Sequence, residues 1–209
     1  MILLINPNST EAMTEDMTRI AQDQAGAIKV EGWTSHDGPP SIQGVEDGEA
    51  AVPPLLELVK KAAPLSPQAI LIGCFDDTGL AEAQALAPCP VFGIGQAAYH
   101  LAAMLGGKFS VVTTLEVSVP ILRDNVLAYG LGNSLAKVRA SGVPVLGLEQ
   151  AEERVAEEIR TAIAEDDVRS IALGCGGMAA LRDRLQQETS VRLIDGVRAS
   201  VAMACGVCA

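Results

Sequence analysis

The feature that most constrains the fold is a series of short, uninterrupted apolar runs, separated by longer stretches with helical spacing. Continuous runs of Val, Ile and Leu are typical of strands buried on both faces of a parallel sheet, because helices cover each face. The runs predict strands over residues 2–5, 28–33, 69–72, 91–93, 109–113, 170–173 and 192–194.

The stretches between these runs predict helices over residues 10–24, 47–62, 95–105 and 149–165. Pro53 and Pro54 are expected to break the first part of the second helix, since proline lacks the N–H that a helix interior needs. The alternation of strand and helix implies right-handed βαβ units, and hence an α/β fold with parallel sheets.

A weak internal echo indicates two similar halves. Ala69-Ile-Leu-Ile-Gly-Cys74 and Ser170-Ile-Ala-Leu-Gly-Cys175 each read as a buried strand followed by Gly-Cys, about half a chain apart. Two similar lobes that face each other would produce this pattern. Chance similarity between two buried strands is the competing explanation.

Composition narrows the choice of partners and compartment. Hydrophobic residues make up 49% of the chain, and the formal net charge is -11. This acidic balance argues against nucleic acid, whose backbone demands clustered Lys and Arg, and against anionic membrane surfaces. The start lacks the basic segment of a signal peptide, and no apolar run reaches membrane-spanning length. We therefore interpret the five cysteines as reduced thiols of a cytoplasmic protein.

The sequence carries no recognised cofactor or metal motif. His36 and His100 are its only histidines, and it has no paired Cys-x-x-Cys pattern for zinc, no dinucleotide fingerprint and no Walker-type loop. Cys205-Gly-Val-Cys208 lacks the strand-then-helix context of a redox motif. We expect no metal and no cofactor, so the chemistry should rely on cysteine, carboxylates and backbone.

Ligands of open α/β sheets bind beyond the carboxyl ends of the strands. Residues 6–10, 73–77, 113–114 and 174–177 meet that condition. A helix N-terminus after such a segment supplies N–H donors and lowers the pKa of a nearby thiol. Cys74 and Cys175, which lie in two of these segments, are therefore candidate acid/base groups. One thiolate could take a proton from a carbon acid while the opposite thiol returns one to the other face. This would invert a stereocentre without a cofactor.

Structural explanations compete at each position. A single strand-end cysteine most often only fills space. Asn8 and Ser9 could cap the following helix, and Thr113 and Thr114 could be ordinary strand residues. Asp76 could cap a helix or orient a substrate amide. Two cysteines in matching contexts shift the balance towards function.

Several motifs occur in a fixed order over nearly the whole chain. They are Ile5-Asn-Pro-Asn-Ser-Thr10, Gly73-Cys-Phe-Asp-Asp-Thr-Gly-Leu80, Gly93-Ile-Gly-Gln-Ala-Ala98, Phe109-Ser-Val-Val-Thr-Thr-Leu115, Leu173-Gly-Cys-Gly-Gly-Met178 and Asp195-Gly-Val197. In that order they resemble the hydantoin and allantoin racemases of the aspartate/glutamate racemase superfamily. The chain is shorter than typical members between about Gly130 and Gly147 and at its C-terminus, and these departures bear on the substrate.

The resemblance implies two pseudo-symmetric flavodoxin-like lobes, residues 1–93 with 193–209 and residues 94–192, and an active site in the cleft between them. It implies a homo-oligomeric, PLP-independent racemase that acts on a small carbon acid, a 5-substituted hydantoin or allantoin, with Cys74 and Cys175 as the acid/base pair. The resemblance and the position of these segments at the carboxyl ends of strands together indicate the substrate-binding residues. They are expected to be Asn8, Ser9, Phe75, Asp76, Thr113, Thr114, Gly176 and Gly177. The alternatives are an amino-acid racemase, a maleate isomerase or an arylmalonate decarboxylase on the same fold, and a non-catalytic small-molecule-binding protein.

Overall fold

The computed structural model describes residues 1–148 and 150–208. The strands are β1 (Ile2–Asn6), β2 (Val30–Thr34), β3 (Ala69–Ile72), β4 (Val91–Gly93), β5 (Phe109–Thr113), β6 (Leu135–Ala140), β7 (Ser170–Leu173) and β8 (Arg192–Asp195). The helices are α1 (Glu11–Ala25), α2 (Val45–Ala62), α3 (Leu80–Leu86), α4 (Ile94–Met104), α5 (Val119–Ala128), α6 (Glu152–Glu165), α7 (Arg182–Gln187) and α8 (Gly196–Cys208). Glu149 and Ala209, which belong to two of the predicted segments, lie outside the described residues, as does the Cys208 side chain.

The strands form two four-stranded parallel sheets with the same internal order, β2-β1-β3-β4 and β6-β5-β7-β8. The register also matches, since Ile2 lies opposite Ala69 in the first sheet and Phe109 opposite Ser170 in the second. The two echoed strands, β3 and β7, hold the third place in their sheets. The predicted α/β class with two similar parallel-sheet lobes is confirmed.

One hydrophobic core joins the two sheets. Alternate side chains of β1 and β3, among them Leu4, pack with α1, α4 and α8 and with Phe109 of β5. Phe75, Tyr99 and Phe109 form a continuous aromatic row, with ring centroids 5.2 and 6.4 Å apart. Two further clusters cover the outer faces, one under α2 and α3 and the other under α6. The central core therefore fixes how the two sheets sit relative to each other.

The prediction that Pro53 and Pro54 break the second helix is wrong, since both lie inside α2. The two carbonyl groups that these prolines leave without helical donors belong to Glu49 and Ala50, which are exposed and can bind water. Burial of four apolar residues on the opposite face holds the helix in place.

Strand β6 was not predicted. Lys137 and Arg139 interrupt its apolar residues, and it lies at the edge of its sheet, so it lacks the continuous apolar run of an inner strand. The predicted lobe boundary at residue 193 falls inside β8. Residues 193–195 pair with β7 and so belong to the second sheet, whereas α8 packs against α1 and α4. Within the described ranges, no helix has both the length and the apolarity to cross a membrane.

Candidate active site

The first cysteine lies in a tight turn that follows β3. Gly73 donates its N–H to the Ile5 carbonyl at 2.8 Å, which extends the strand pairing up to the cysteine. The Cys74 sulfur then lies 3.4 Å from the Thr78 hydroxyl, four residues on. Cys74 is partly exposed, whereas Phe75 is buried in the central core. The turn is thus anchored in the central core through Phe75.

Asp77 fixes this turn to the rest of the molecule. It adopts the left-handed conformation with φ of 52°, and its two carboxylate oxygens accept the Gly95 N–H at 3.1 Å and the Tyr129 hydroxyl at 2.9 Å. Asn125 of α5 donates its side-chain amide to the Asp76 carbonyl at 2.8 Å. Burial raises the pKa of Asp77 to about 8, although these hydrogen bonds act to lower it. Two side chains from the second lobe therefore hold the Cys74 turn.

Asp76 brings a carboxyl group to the site itself. Its Oδ2 atom is buried and has no hydrogen-bond partner among the described residues. Burial raises the pKa of Asp76 to about 7, and a negative charge on this group acts on both Cys74 and Cys175. A buried polar atom without a partner is costly, so this oxygen is suited to a hydrogen bond with a ligand.

The second cysteine begins a 3-10 turn at residues 176–180, directly after β7 and Gly174. Gly174 donates its N–H to the Val112 carbonyl at 2.7 Å, and Thr113 donates its hydroxyl to the Gly174 carbonyl at 2.8 Å. The backbone N–H groups of Gly177 and Met178 reach the Cys175 sulfur. This thiol is therefore surrounded by backbone donors.

The two thiols do not have the lowered pKa values that the sequence suggested. Burial raises the pKa of Cys175 to about 11, although the two N–H groups at its sulfur act to lower it. Burial and then the Asp76 charge raise the pKa of Cys74 further above its usual range, and the Thr78 hydroxyl offsets this only in part. Desolvation outweighs the local donors in this closed arrangement, so both groups hold their protons at neutral pH.

Asn8 approaches the site from the turn after β1. Its Oδ1 atom accepts hydrogen bonds from the Asn6 side chain at 2.9 Å and from the Thr10 N–H at 3.0 Å. Its Nδ2 atom lies 3.9 Å from the Met13 sulfur, which is a weak acceptor. The turn therefore fixes the amide with its N–H₂ group available for a stronger acceptor.

These segments enclose one small cavity, which we call the catalytic cavity. Its volume is about 20 Å³, which is room for about one water molecule. The lining residues come from both lobes and are Asn8, Met13, Ile42, Gly73, Cys74, Phe75, Asp76, Thr114, Ser118, Val145, Gly174, Cys175 and Gly176. Gln43 accepts the Val145 N–H at 3.0 Å, so the segments that carry Ile42 and Val145 meet over the cavity.

Comparison with known proteins agrees with this architecture. A family model described as Asp/Glu/Hydantoin racemase matches residues 2–204. The chain belongs to this family. A hydantoin racemase of Rhizobium meliloti is 44% identical, over 97% of this chain and 86% of its own length.

Solved structures give the same assignment. The allantoin racemase from Klebsiella pneumoniae superposes with a TM-score of 0.94 at 38% identity, over 97% of this chain and 85% of that one. The allantoin racemase from Pseudomonas fluorescens gives 0.92 at 36% identity, over 97% and 88%. The predicted family, and with it the enzyme class of isomerase, is confirmed.

Most of the predicted site residues of this racemase-family chain line the catalytic cavity. They are Asn8, Cys74, Phe75, Asp76, Thr114, Cys175 and Gly176. Thr113 is instead engaged with the Gly174 carbonyl, Ser9 donates its N–H to Pro39, and Gly177 lies on the far side of the Cys175 turn. Within the described part of the chain, those three are not among the lining residues. The catalytic and substrate-binding roles predicted for all of these residues stay predictions.

Other residues at the site had not been assigned. Met13, Ile42, Ser118 and Val145 line the cavity, and Thr78 contacts the Cys74 sulfur. Thr78 stands inside the Gly73–Leu80 motif and could have been found there. Met13 and Ser118 follow the predicted Asn8 and Thr114 by five and four residues, whereas Ile42 and Val145 come from segments without a local signal in the sequence. The described lining contains no Lys, Arg or His, so its ionisable groups are the two thiols and Asp76.

Proposed function

We propose that this chain is a cofactor-independent racemase that inverts the stereocentre of a 5-substituted hydantoin or of allantoin. The observation that carries the proposal is that Cys74 and Cys175, one from each lobe, line the same cavity and lie close enough for Cys175 to act on the pKa of Cys74. Two acid/base groups on opposite sides of a bound carbon atom are what inversion requires.

In the proposed reaction, one cysteine acts as a thiolate and takes the proton from the ring carbon that carries the substituent. The electron pair of the broken C–H bond moves into the adjacent carbonyl and gives an enolate. The other cysteine, a thiol, donates its proton to the opposite face of the carbon. The product is the mirror-image substrate, and the two sulfurs have exchanged protonation states, so no oxidant, reductant or leaving group is needed.

The thiolate required for this step costs free energy in the closed arrangement, because burial favours the thiol. Polar groups of the cavity would offset part of that cost once substrate is bound. Asn8 can exchange the Met13 sulfur for a carbonyl or enolate oxygen. The unpartnered Asp76 oxygen can accept an N–H of the hydantoin ring. Thr114 and Ser118 add two further hydroxyl groups to the lining.

The charge of the cavity favours a hydantoin over an amino acid. The described lining has no cationic side chain, and it contains the Asp76 carboxyl. An ionised substrate carboxylate would be desolvated there without a counter-charge, which is costly. A hydantoin ring has no ionised carboxylate and carries N–H and C=O groups that match Asp76 and Asn8.

The central test uses single enantiomers of a 5-substituted hydantoin, allantoin and aspartate in deuterated water, with optical rotation and deuterium uptake followed together. We expect uptake and loss of rotation with hydantoins or allantoin and neither with aspartate. Cys74→Ala and Cys175→Ala should each slow racemisation by about 10²–10⁴-fold, the usual contribution of general acid–base catalysis.

Cys205→Ala is the matched control, since it removes a thiol from α8 away from the cavity, and it should racemise at the wild-type rate. Full activity in both Cys74→Ala and Cys175→Ala would refute the two-cysteine mechanism. Racemisation of aspartate alone would move the chain to the amino-acid racemase alternative. The absence of exchange with every substrate would favour a binding protein.

A further inference from the structure

A second, apolar cavity adjoins the catalytic cavity, and we call it the side pocket. Its volume is about 200 Å³, about ten times that of the catalytic cavity. Its walls come mainly from α1 and from the turns around residues 145–148 and 176–181, with Met17, Ile20, Leu148 and Leu181 among the apolar side chains. It lies directly behind the Cys175 turn.

The two cavities share one wall. Met13, Val145 and Gly176 line both of them. Met13 is an unbranched, flexible side chain that can move aside at low cost. Gly176 presents no side chain, and a Cβ atom there would come within 2.9 Å of the Met17 sulfur. At Gly176 the wall consists of backbone packed closely against Met17, and at Met13 it is movable.

The catalytic cavity is far too small for a hydantoin and its substituent, so a bound substrate must extend into neighbouring space. We propose that the side pocket receives the substituent on the stereocentre and selects apolar groups, such as benzyl or isobutyl. This inference rests on the proposed function and narrows it to 5-alkyl and 5-arylalkyl hydantoins. The pocket exceeds the roughly 150 Å³ of an apolar cavity that holds a benzene molecule.

The polarity of the pocket separates these substrates from allantoin. Asp16 and Thr10 contribute the polar side chains of the described lining, and the remaining residues are apolar or glycine. The ureido substituent of allantoin carries several hydrogen-bonding groups, which would lose water there without enough partners in return. We expect 5-benzylhydantoin to be racemised with a kcat/KM at least about tenfold above that of allantoin.

Two exposed alanines at the pocket allow a direct test, because larger side chains there should not disturb the core. Ala12 lies on α1 and Ala180 ends the Cys175 turn. Ala12→Phe and Ala180→Phe should each lower kcat/KM for 5-benzylhydantoin by about tenfold or more, since apolar pockets discriminate substrates by size on this scale. The value for 5-methylhydantoin, whose substituent does not fill the pocket, should change by less than about threefold.

A matched control fills a different cavity, of about 240 Å³, which borders Asp76 on the other side of the site. Val52→Phe enlarges a side chain of that cavity and should leave the benzyl-to-methyl ratio of kcat/KM unchanged. If Val52→Phe lowers the ratio and the two alanine variants do not, the substituent binds on that side and the proposal is overturned. A wild-type preference for allantoin would overturn it as well.

The two proposals fail in different ways. Racemisation of allantoin together with inactivity towards 5-benzylhydantoin would refute the side pocket and leave the racemase intact. If no substrate exchanges its proton, the racemase proposal fails. The pocket is then still tested by calorimetry, in which binding of 5-benzylhydantoin must weaken in Ala12→Phe and Ala180→Phe if the assignment is correct.

Discussion

The two cysteine turns occupy equivalent places in their sheets but surround their sulfurs differently. Cys175 is followed by two glycines, and its sulfur receives backbone N–H groups. Cys74 is followed by Phe75 and two aspartates, and the Thr78 hydroxyl and one backbone N–H favour its thiolate. The Asp76 charge opposes ionisation of both thiols, and for Cys74 it is the largest influence after burial. Backbone donors stabilise a thiolate, whereas a carboxylate opposes it. We infer that Cys175 ionises at a lower pH than Cys74, so the first thiolate to form as the pH rises is in the second lobe.

The largest expected effect concerns pH, since among the described residues the buried carboxyl groups with strongly raised pKa values both lie in the Cys74 turn. Burial raises the pKa of Asp76 to about 7 and that of Asp77 to about 8, from about 3.9 in an unfolded chain. The folded protein therefore binds these protons more tightly. The associated stability is complete below about pH 4 and is lost as the pH rises through 7 to 8. Urea unfolding should show a loss of several kcal/mol between pH 5 and 9.

Asp76→Asn and Asp77→Asn should each flatten this pH dependence. The exposed Asp124 offers a control, since Asp124→Asn removes a carboxyl group from the protein surface and should leave the slope as in the wild type. A slope equally steep in all three variants would show that the Cys74 turn is not where these protons bind.

The second prediction compares the glycines that precede the two cysteines. A Cβ atom at Gly174 would lie 2.8 Å from Thr113 Cβ and 3.0 Å from the Val112 carbonyl oxygen, both held by β5. At Gly73 the nearest atom, at 3.0 Å, is the end of the flexible Met17 side chain. Gly174→Ala should therefore cost about 2–3 kcal/mol of unfolding free energy and Gly73→Ala about 1 kcal/mol or less. Equal losses in denaturant titrations would contradict this difference.

The third prediction tests the order of ionisation by alkylation with iodoacetamide, followed residue by residue with mass spectrometry. The Cys175 rate should rise at lower pH than the Cys74 rate, and at pH 9 the thiolate fraction of Cys175 should be the larger of the two. Because Cys74 is the more exposed thiol, access alone predicts the reverse order. Thr78→Val should move the Cys74 profile to still higher pH and leave that of Cys175 in place.

The smallest expected effect lies beneath the Cys74 turn. Tyr99 is fully buried against Phe75, and its hydroxyl has no hydrogen-bond partner among the described residues. Tyr99→Phe removes this unsatisfied group, so it should raise the unfolding free energy by about 0.5–1 kcal/mol. Tyr129→Phe is the contrasting variant, because its hydroxyl donates to Asp77, and it should lower the unfolding free energy.

Much of this arrangement was predictable from the sequence because its signals are local. Continuous apolar runs mark the buried strands, so residues 69–72, 91–93, 109–113 and 170–173 were predicted with the bounds that the structure has. Strand ends then located the two cysteines and Asn8. The edge strand β6 was not predicted because its polar residues interrupt the apolar pattern. Their partners lie far along the chain, since Arg139 bonds to Asp166, Glu165 and Glu158.

The electrostatic environment of the cysteines could not be predicted from the same signals. The turn context suggested lowered thiol pKa values, but how deeply each sulfur is buried depends on contacts between lobes. Asn125 and Tyr129 illustrate the point, since they reach the Cys74 turn from about 50 residues away in the chain. Nothing in their local sequence indicates the partner that they meet.

The shared central core has a consequence for how substrate enters. Phe75, Tyr99 and Phe109 pack in one row across both sheets. Rotating the two lobes apart would therefore expose this apolar core to water. The core therefore resists separation of the two sheets, and the small catalytic cavity has to enlarge at walls that lie outside the core. The Gln43–Val145 hydrogen bond joins two segments that line the cavity and lies outside that core, so we expect room for the substrate to come from this contact.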